Sequence, residues 1–234
     1  TNEMPGEKIN AILAVKEFVE DEFIFMATAK GTVKKTPLSD FSNPRKSGII
    51  AIKLDNGDFL VGAGVTNGSN DVVLVSNGGK AVWFDENDVR SMGRNARGVR
   101  GMKLLEGQQV LSLLIASSDE ESVLVATENG YGKRTVLSEF RKSGRGTQGV
   151  KAIQVSERNG IVVAAKLVGD HDEIMLITTG GVLIRTRVSE IRELGRATQG
   201  VTLINLSKEE KLSGIEKIVE TDHIDDDGQD ELPI

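Results

Sequence analysis

Residues 194–201 read L-G-R-A-T-Q-G-V, residues 143–150 read S-G-R-G-T-Q-G-V, and residues 92–99 read M-G-R-N-A-R-G-V. The motifs close on Gly200, Gly149 and Gly98, and a shortened version, N-P-R-K-S-G at 43–48, closes on Gly48. From Gly48 onward the spacings are 50, 51 and 51. A second glycine keeps the same period. Gly31, Gly79, Gly130 and Gly181 each sit between two short apolar runs, as in L-V-S-N-G-G-K-A-V-W-F, at spacings of 48, 51 and 51. Two independent anchors with one period define a repeat of about fifty residues.

Within each unit the local signals are those of strands. Asn-Gly or Gly-Gly between β-rich runs predicts two-residue hairpin turns, which need positive φ. A second hairpin is predicted where I-I-A-I-K-L leads through Asp55-Asn56-Gly57 into F-L-V-G-A-G-V, with later turns at Glu106-Gly107 and Asn159-Gly160. Between the hairpins, L-S-D-F, L-S-E-F and V-S-E-I suit one helical turn. Four strands of about six residues plus turns fill the period. The expected fold is therefore all-β, a propeller-like array of four-stranded units. The units fall at 23–70, 71–121, 122–172 and 173–219. Residues 9–15 (I-N-A-I-L-A-V) match the last strand of an earlier unit, so 1–22 is expected to end a preceding blade. The chain opens on Thr1, which fits a fragment that begins inside a repeat.

Charge is phased with the repeat. Of the 234 residues, 27% are charged and the net charge is −6. That total hides a division. Residues 216–234 carry eight acids and one base, so the remainder of the chain is close to neutral, and 220–234 reads as an acidic, disordered tail. Residues 30–53, 90–103 and 133–151 each sum to +5, and residues 185–196 to +2. Rotation from blade to blade brings equivalent positions to one rim, so these segments are expected to form a basic belt. Such a belt is an electrostatic track for a phosphate backbone. The double-glycine loop suits the same ligand, because glycines let main-chain N–H groups approach phosphate and the arginine can donate twice. No aromatic ladder accompanies the bases, which favours duplex over stacked single strands.

Catalytic readings find no support. There is no cysteine, which excludes disulfides and thiolate metal sites. His171 and His223 are the only histidines, and neither has a nucleophile or ligand at a useful spacing. No G-x-x-x-x-G-K-[ST] phosphate loop is present. Tyr131 follows a turn glycine and Trp83 lies in a strand, so both read as packing residues. No apolar run reaches the length of a membrane span.

The strings F-M-A-T-A-K-G-T-V-K-K-T, N-G-Y-G-K-R-T and I-R-T-R-V-S-E-I-R-E-L-G-R-A-T-Q-G-V closely resemble the C-terminal domains of the DNA gyrase A protein, over essentially residues 1–219. The resemblance implies a β-pinwheel, a propeller whose neighbouring blades exchange strands. It implies that duplex DNA wraps around the basic rim, so that the holoenzyme, a type II topoisomerase, can introduce negative supercoils with ATP. It implies partners in the rest of the gyrase A protein and in the gyrase B protein, and a bacterial cytoplasmic, nucleoid-associated setting without a membrane. No cofactor is expected in this segment. ATP and Mg belong to the holoenzyme, and the cleaving tyrosine lies outside this region, so Tyr131 is not that nucleophile. The family's basic heptad Q-R-R-G-G-K-G has no match here, and the Gly-Arg loops look like degenerate versions of it. The family's six blades against four and a fraction here imply an open arc.

On this reading the phosphate contacts are Lys34, Lys35, Arg45, Lys46, Arg94, Arg97, Arg100, Lys133, Arg134, Arg141, Lys142, Arg145, Arg185, Arg187 and Arg196. Two alternatives stand beside it. One is the equivalent protein of topoisomerase IV. The other is a propeller that binds proteins only, against which the phased +5 clusters argue.

Overall fold

The computed structural model describes residues 9–218; the acidic tail and His223 lie outside the described residues. Among the described residues fifteen strands are formed: β1 (Phe23–Thr28), β2 (Thr32–Pro37), β3 (Leu60–Thr66), β4 (Asp71–Ser76), β5 (Lys80–Asp85), β6 (Val99–Arg100), β7 (Val110–Ala116), β8 (Ser122–Thr127), β9 (Tyr131–Val136), β10 (Val150–Lys151), β11 (Val162–Val168), β12 (Glu173–Thr178), β13 (Leu183–Arg187), β14 (Val201–Thr202) and β15 (Leu212–Ile218). They make four antiparallel sheets, ordered β3-β1-β2-β6, β10-β5-β4-β7, β11-β8-β9-β14 and β13-β12-β15. The first strand pair of each blade is the predicted hairpin, and a single 3₁₀ turn follows it at Leu38–Phe41, Glu86–Asp88, Leu137–Glu139 and Val188–Glu190.

The hairpin turns differ from the expectation in one respect. β1 ends at Thr28 and β2 begins at Thr32, while β4 ends at Ser76 and β5 begins at Lys80, so the connecting loops hold three residues rather than two. Gly31, Gly79 and Gly130 accept the positive φ alone, and no non-glycine residue among those described has one. This is a turn closed by a left-handed glycine, which matches the strand twist with one special residue instead of two.

The predicted second hairpin does not form inside a unit. Its long arm forms β3, β7, β11 and β15, and these pair with β1, β4, β8 and β12. Its other arm leaves the unit. β6 pairs with β2, β10 with β5, and β14 with β9, so each short strand completes the sheet of the unit before it. Residues 49–54, the equivalent arm of the first unit, form no strand, and neither do residues 9–15. Among the described residues, β13 likewise lacks an outer partner.

Both faces of the first three sheets are covered, which explains the unbroken apolar runs of their central strands, whereas in the fourth sheet β12 alternates between buried and half-buried residues and β13 is largely exposed. Phe25, Ala27 and Val33 of the first blade pack on Val72, Leu74, Phe84 and Val89 of the second. Val73, Val75 and Trp83 pack on Val123, Val125, Leu137 and Phe140 of the third. Leu124 and Ala126 meet Ile174, Leu176, Val188 and Ile191 of the fourth. The blades thus share cores at their boundaries. The strands β3, β7, β11 and β15 lie side by side on the inner edge, which puts β6, β10 and β14 on the outer rim.

Candidate nucleic-acid interface

The rim is built from the exchanged segments. After each 3₁₀ turn, the chain runs parallel to the outer strand of the preceding blade at Lys35–Ser91, Trp83–Lys142 and Arg134–Glu193. It then turns through the Gly-Arg loop and returns antiparallel as β6, β10 or β14. Successive loops are also bonded to one another. Gly146 N donates to Gly101 O at 2.6 Å, Lys103 N to Thr147 O at 2.8 Å, and Gln154 N to Thr198 O at 2.9 Å. The loops of the second, third and fourth repeats are therefore tied by main-chain bonds from blade to blade.

This geometry explains one glycine of the motif. Gly98, Gly149 and Gly200 have φ of +98°, +72° and +80°. A Cβ on each would stand 2.4 Å from Val33 O, 2.2 Å from Ala81 O and 2.6 Å from Gly132 O. The chain reverses directly on the neighbouring backbone, which only glycine allows. The opening glycines are different. Gly93, Gly144 and Gly195 lack positive φ, and a Cβ on any of them would meet nothing closer than 3.7 Å. Neither conformation nor packing requires a glycine there.

The predicted contacts separate into three groups. Lys34, Lys35 and Lys133 correct the expectation, because they are buried and are not free for a surface ligand. Lys34 is fully buried, and its ammonium donates to Ala51 O at 2.7 Å and to Arg94 O. Lys133, also fully buried, donates to Gly195 O at 2.5 Å. Lys35 donates to Asn87 Oδ1 at 3.0 Å, pairs with buried Glu86 at 3.4 Å, and lies 4.7 Å from the Phe23 ring centroid. The sequence counted these lysines as rim charge because composition does not register which face of a strand is covered.

A second group is on the surface but engaged. Arg134 pairs with Asp170 and donates to Ile191 O at 2.8 Å. Lys142 pairs with Asp71 at 2.6 Å and Asp85 at 3.7 Å, and its hydrogen bond to Asp71 holds its ammonium above the usual range. Arg145 donates to Asp88 O at 2.9 Å and Arg100 O at 3.0 Å. Arg185 pairs with Glu173, and Arg187 lies 3.6 Å from the same carboxylate. Among the described residues the Arg94 side chain donates to Ile50 O alone, at 3.3 Å.

The third group is available. Arg45, Lys46, Arg100 and Arg141 are exposed, and Arg196 is half-buried; none has a side-chain partner among the described residues. Arg97 has one exposed pair, with Asp55 at 3.2 Å, of the kind that contributes little. The structure adds Arg90, Lys103, Lys151 and Arg192, which are exposed on the same segments and without partners among the described residues. Their signal was in the repeat phase: Arg100 and Lys151 each lie two residues beyond the closing glycine, on β6 and β10.

The remaining singled-out residues are structural. Trp83 Nε1 donates to Asp71 Oδ2 at 2.8 Å inside the second boundary core. The Arg158 guanidinium lies 4.7 Å from the Tyr131 ring centroid. Among the described residues, no group of three His, Cys, Asp or Glu side chains could hold a metal ion, and no helix is long and apolar enough to cross a membrane.

Burial pushes Lys133 down to about 8, with Arg196 adding to the effect and Glu139 opposing it. Lys34 is likewise pushed down to about 8, mainly by burial. The unfolded chain, with lysines near 10.5, holds these protons more tightly. Burial of the charge therefore costs stability fully below about pH 8, and that cost is relieved as pH rises from about 8 to 10.5. Urea unfolding should show wild type gaining roughly 2–3 kcal/mol on Lys133→Met between about pH 7.5 and 10. A constant difference would show that the ammonium is not desolvated.

The model of the DNA gyrase C-terminal domain, beta-propeller, family matches residues 22–67, 70–117, 121–168 and 172–218. The chain belongs to this family. Each matched segment opens within a residue or two of the first strand of a blade. The A subunit of DNA gyrase from Salmonella typhimurium is 51% identical over 97% of the chain, and that from Pseudomonas aeruginosa is 55% identical over 88%. The chain spans 26% and 22% of those proteins, about a quarter of their length. A solved DNA gyrase A C-terminal domain matches with TM-score 0.83 and 30% identity, over 94% of this chain and 73% of that one. A DNA topoisomerase IV C-terminal domain matches with TM-score 0.82 and 31% identity, over 87% and 64%. In this member of the gyrase family, strand exchange is what carries the Gly-Arg loops to the rim.

Proposed function

We propose that this chain is a duplex-DNA-wrapping module of a bacterial gyrase, and that it bends DNA around its outer rim so that the holoenzyme can supercoil it with ATP. The observation that carries the proposal is the set of exposed cations on the exchanged rim segments that have no side-chain partner among the described residues, repeated from blade to blade along loops tied by main-chain bonds. Such an array neutralises phosphates at intervals around a curved surface without reading bases. Specificity then comes from DNA bendability. Trp83 and Tyr131 are engaged with Asp71 and Arg158, and residues 90–103, 141–154 and 192–203 hold no aromatic residue, so these rim segments offer single strands no stacking platform. The opening glycines Gly93, Gly144 and Gly195 fit the same use, since they leave the loop surface open to close approach.

The test is a nicked-plasmid ligation assay at about 0.1 M salt, where exposed charges are screened beyond about 10 Å. The circle is sealed with the chain bound, stripped of protein, and its linking number is read on a gel. A positive shift supports wrapping with the gyrase hand. Binding by gel retardation with no shift would overturn wrapping by this chain, and no binding would overturn the DNA reading itself. The opening glycines give a further prediction. Gly144→Ala should leave stability unchanged within about 0.5 kcal/mol and weaken DNA binding roughly fivefold, through one poorer phosphate contact. Denaturant midpoints and binding anisotropy check the two halves.

A further inference from the structure

We infer that Lys34 and Lys133 are positioning residues of the DNA interface: each buried ammonium clamps the Gly-Arg loop of the next repeat by a main-chain carbonyl, and so relieves that loop's arginine of part or all of the holding and leaves it for phosphate. The inference rests on the DNA reading above. Both lysines lie three residues after the hairpin glycine, Gly31 or Gly130, on the strand that receives the exchanged segment. Lys34 holds Arg94 O, and Lys133 holds the carbonyl of Gly195, the residue before Arg196.

The middle boundary supplies the contrast. Val82 stands at the lysine's position in the second repeat and is buried. No ammonium reaches the loop there. Instead Arg145, the loop's own arginine, donates to Asp88 O and Arg100 O. Where the lysine is present, the loop arginine does less of the holding: Arg196 has no side-chain partner among the described residues, and Arg94 keeps one bond, at 3.3 Å to Ile50 O, the counterpart of the Arg145 bond to Arg100 O, where Arg145 makes two. Where the lysine is absent, the arginine is consumed as the clamp. Val82 also shows that an apolar residue fits this position. Packing alone therefore does not require a lysine, and a buried charge without a role is costly. The two kinds of boundary divide the labour of one motif: holding the loop and contacting DNA.

Two measurements test this. The first is reductive methylation of the wild-type chain, with and without duplex DNA, read by mass spectrometry. Lys34 and Lys133 should resist modification in both states. Lys46, Lys103 and Lys151 should be modified in the free chain and protected by DNA. Lys133 modified when free and protected by DNA would make it a phosphate contact and overturn the clamp. The second is a double-mutant cycle on DNA affinity. Lys133→Met and Arg196→Ala should each weaken binding roughly tenfold, and the double variant should be no weaker than Arg196→Ala alone. Losses that multiply would overturn the positioning role. If Lys133→Met fails to fold, Lys34→Met with Arg94→Ala forms the same cycle at the first boundary. Absence of DNA binding by wild type would sink the DNA reading, while the free-chain methylation pattern would still decide whether the lysines are clamped.

Discussion

Replacing Arg100, Arg141 and Lys151 together with alanine is expected to lower affinity for duplex DNA about 100-fold at about 0.1 M salt and to flatten its salt dependence. All three are exposed, have no side-chain partner among the described residues, and sit on exchanged rim segments of two adjacent repeats. Each phosphate neutralised contributes about 0.9 to the slope of log affinity against log salt, so three lost contacts remove about 2.7. A wild-type rim making about ten contacts should itself lose about 10³–10⁵ in affinity between about 50 and 200 mM salt. Lys142→Ala is the control. Its ammonium already faces Asp71 and Asp85, so its removal should change the slope little. Anisotropy titrations across that salt range check both. An unchanged slope in the triple variant would place the DNA elsewhere on the molecule.

Gly149→Ala should be the most damaging single substitution in the rim. The new Cβ would stand 2.2 Å from Ala81 O and 2.7 Å from Ala81 C, both main-chain atoms that cannot swing away. The residue also holds φ of +72°. The left-handed conformation alone costs about 1–2 kcal/mol, and the clash must additionally push β10 off β5. A loss of at least about 3 kcal/mol is expected, with release of the loop that follows Lys142. Gly48→Ala separates the two causes. Gly48 closes the same motif with φ of +78°, yet nothing lies within 4 Å of its Cβ position. It should lose only that conformational cost of about 1–2 kcal/mol. Equal losses in urea unfolding would show that the backbone approach at Ala81 is unimportant.

The two glycine variants separate what is local from what is not. The glycine anchors carry the period because each needs a special φ at a fixed place, and that need is local. The hairpins at Gly31, Gly79 and Gly130 and the 3₁₀ turns after them follow from neighbouring residues for the same reason. The exchange of β6, β10 and β14 was legible only through the family resemblance. A run such as G-V-K-A-I-Q has the same alternation whether it pairs within its unit or with the one before, so its partner is decided by closing the boundary cores.

Charge behaves in the same way. Lys34 and Arg100 count equally in a sum over the chain, and so do Lys133 and Lys151. Two of the three sums of +5, at 90–103 and 133–151, fall on stretches that contain the exchanged strands β6 and β10, because period and composition are properties of the chain. Which cations face solvent is a property of packing. Lys133 lies under the loop of the next blade, while Lys151 stays exposed on the exchanged strand β10. Sequence therefore determined the repeat, the fold class and the basic phase, all set by local conformational need and composition. The strand exchange, the buried clamps and the free arginines arise only when neighbouring blades share a core, since burial and partner choice depend on residues of one blade meeting residues of the next, a full repeat away along the chain.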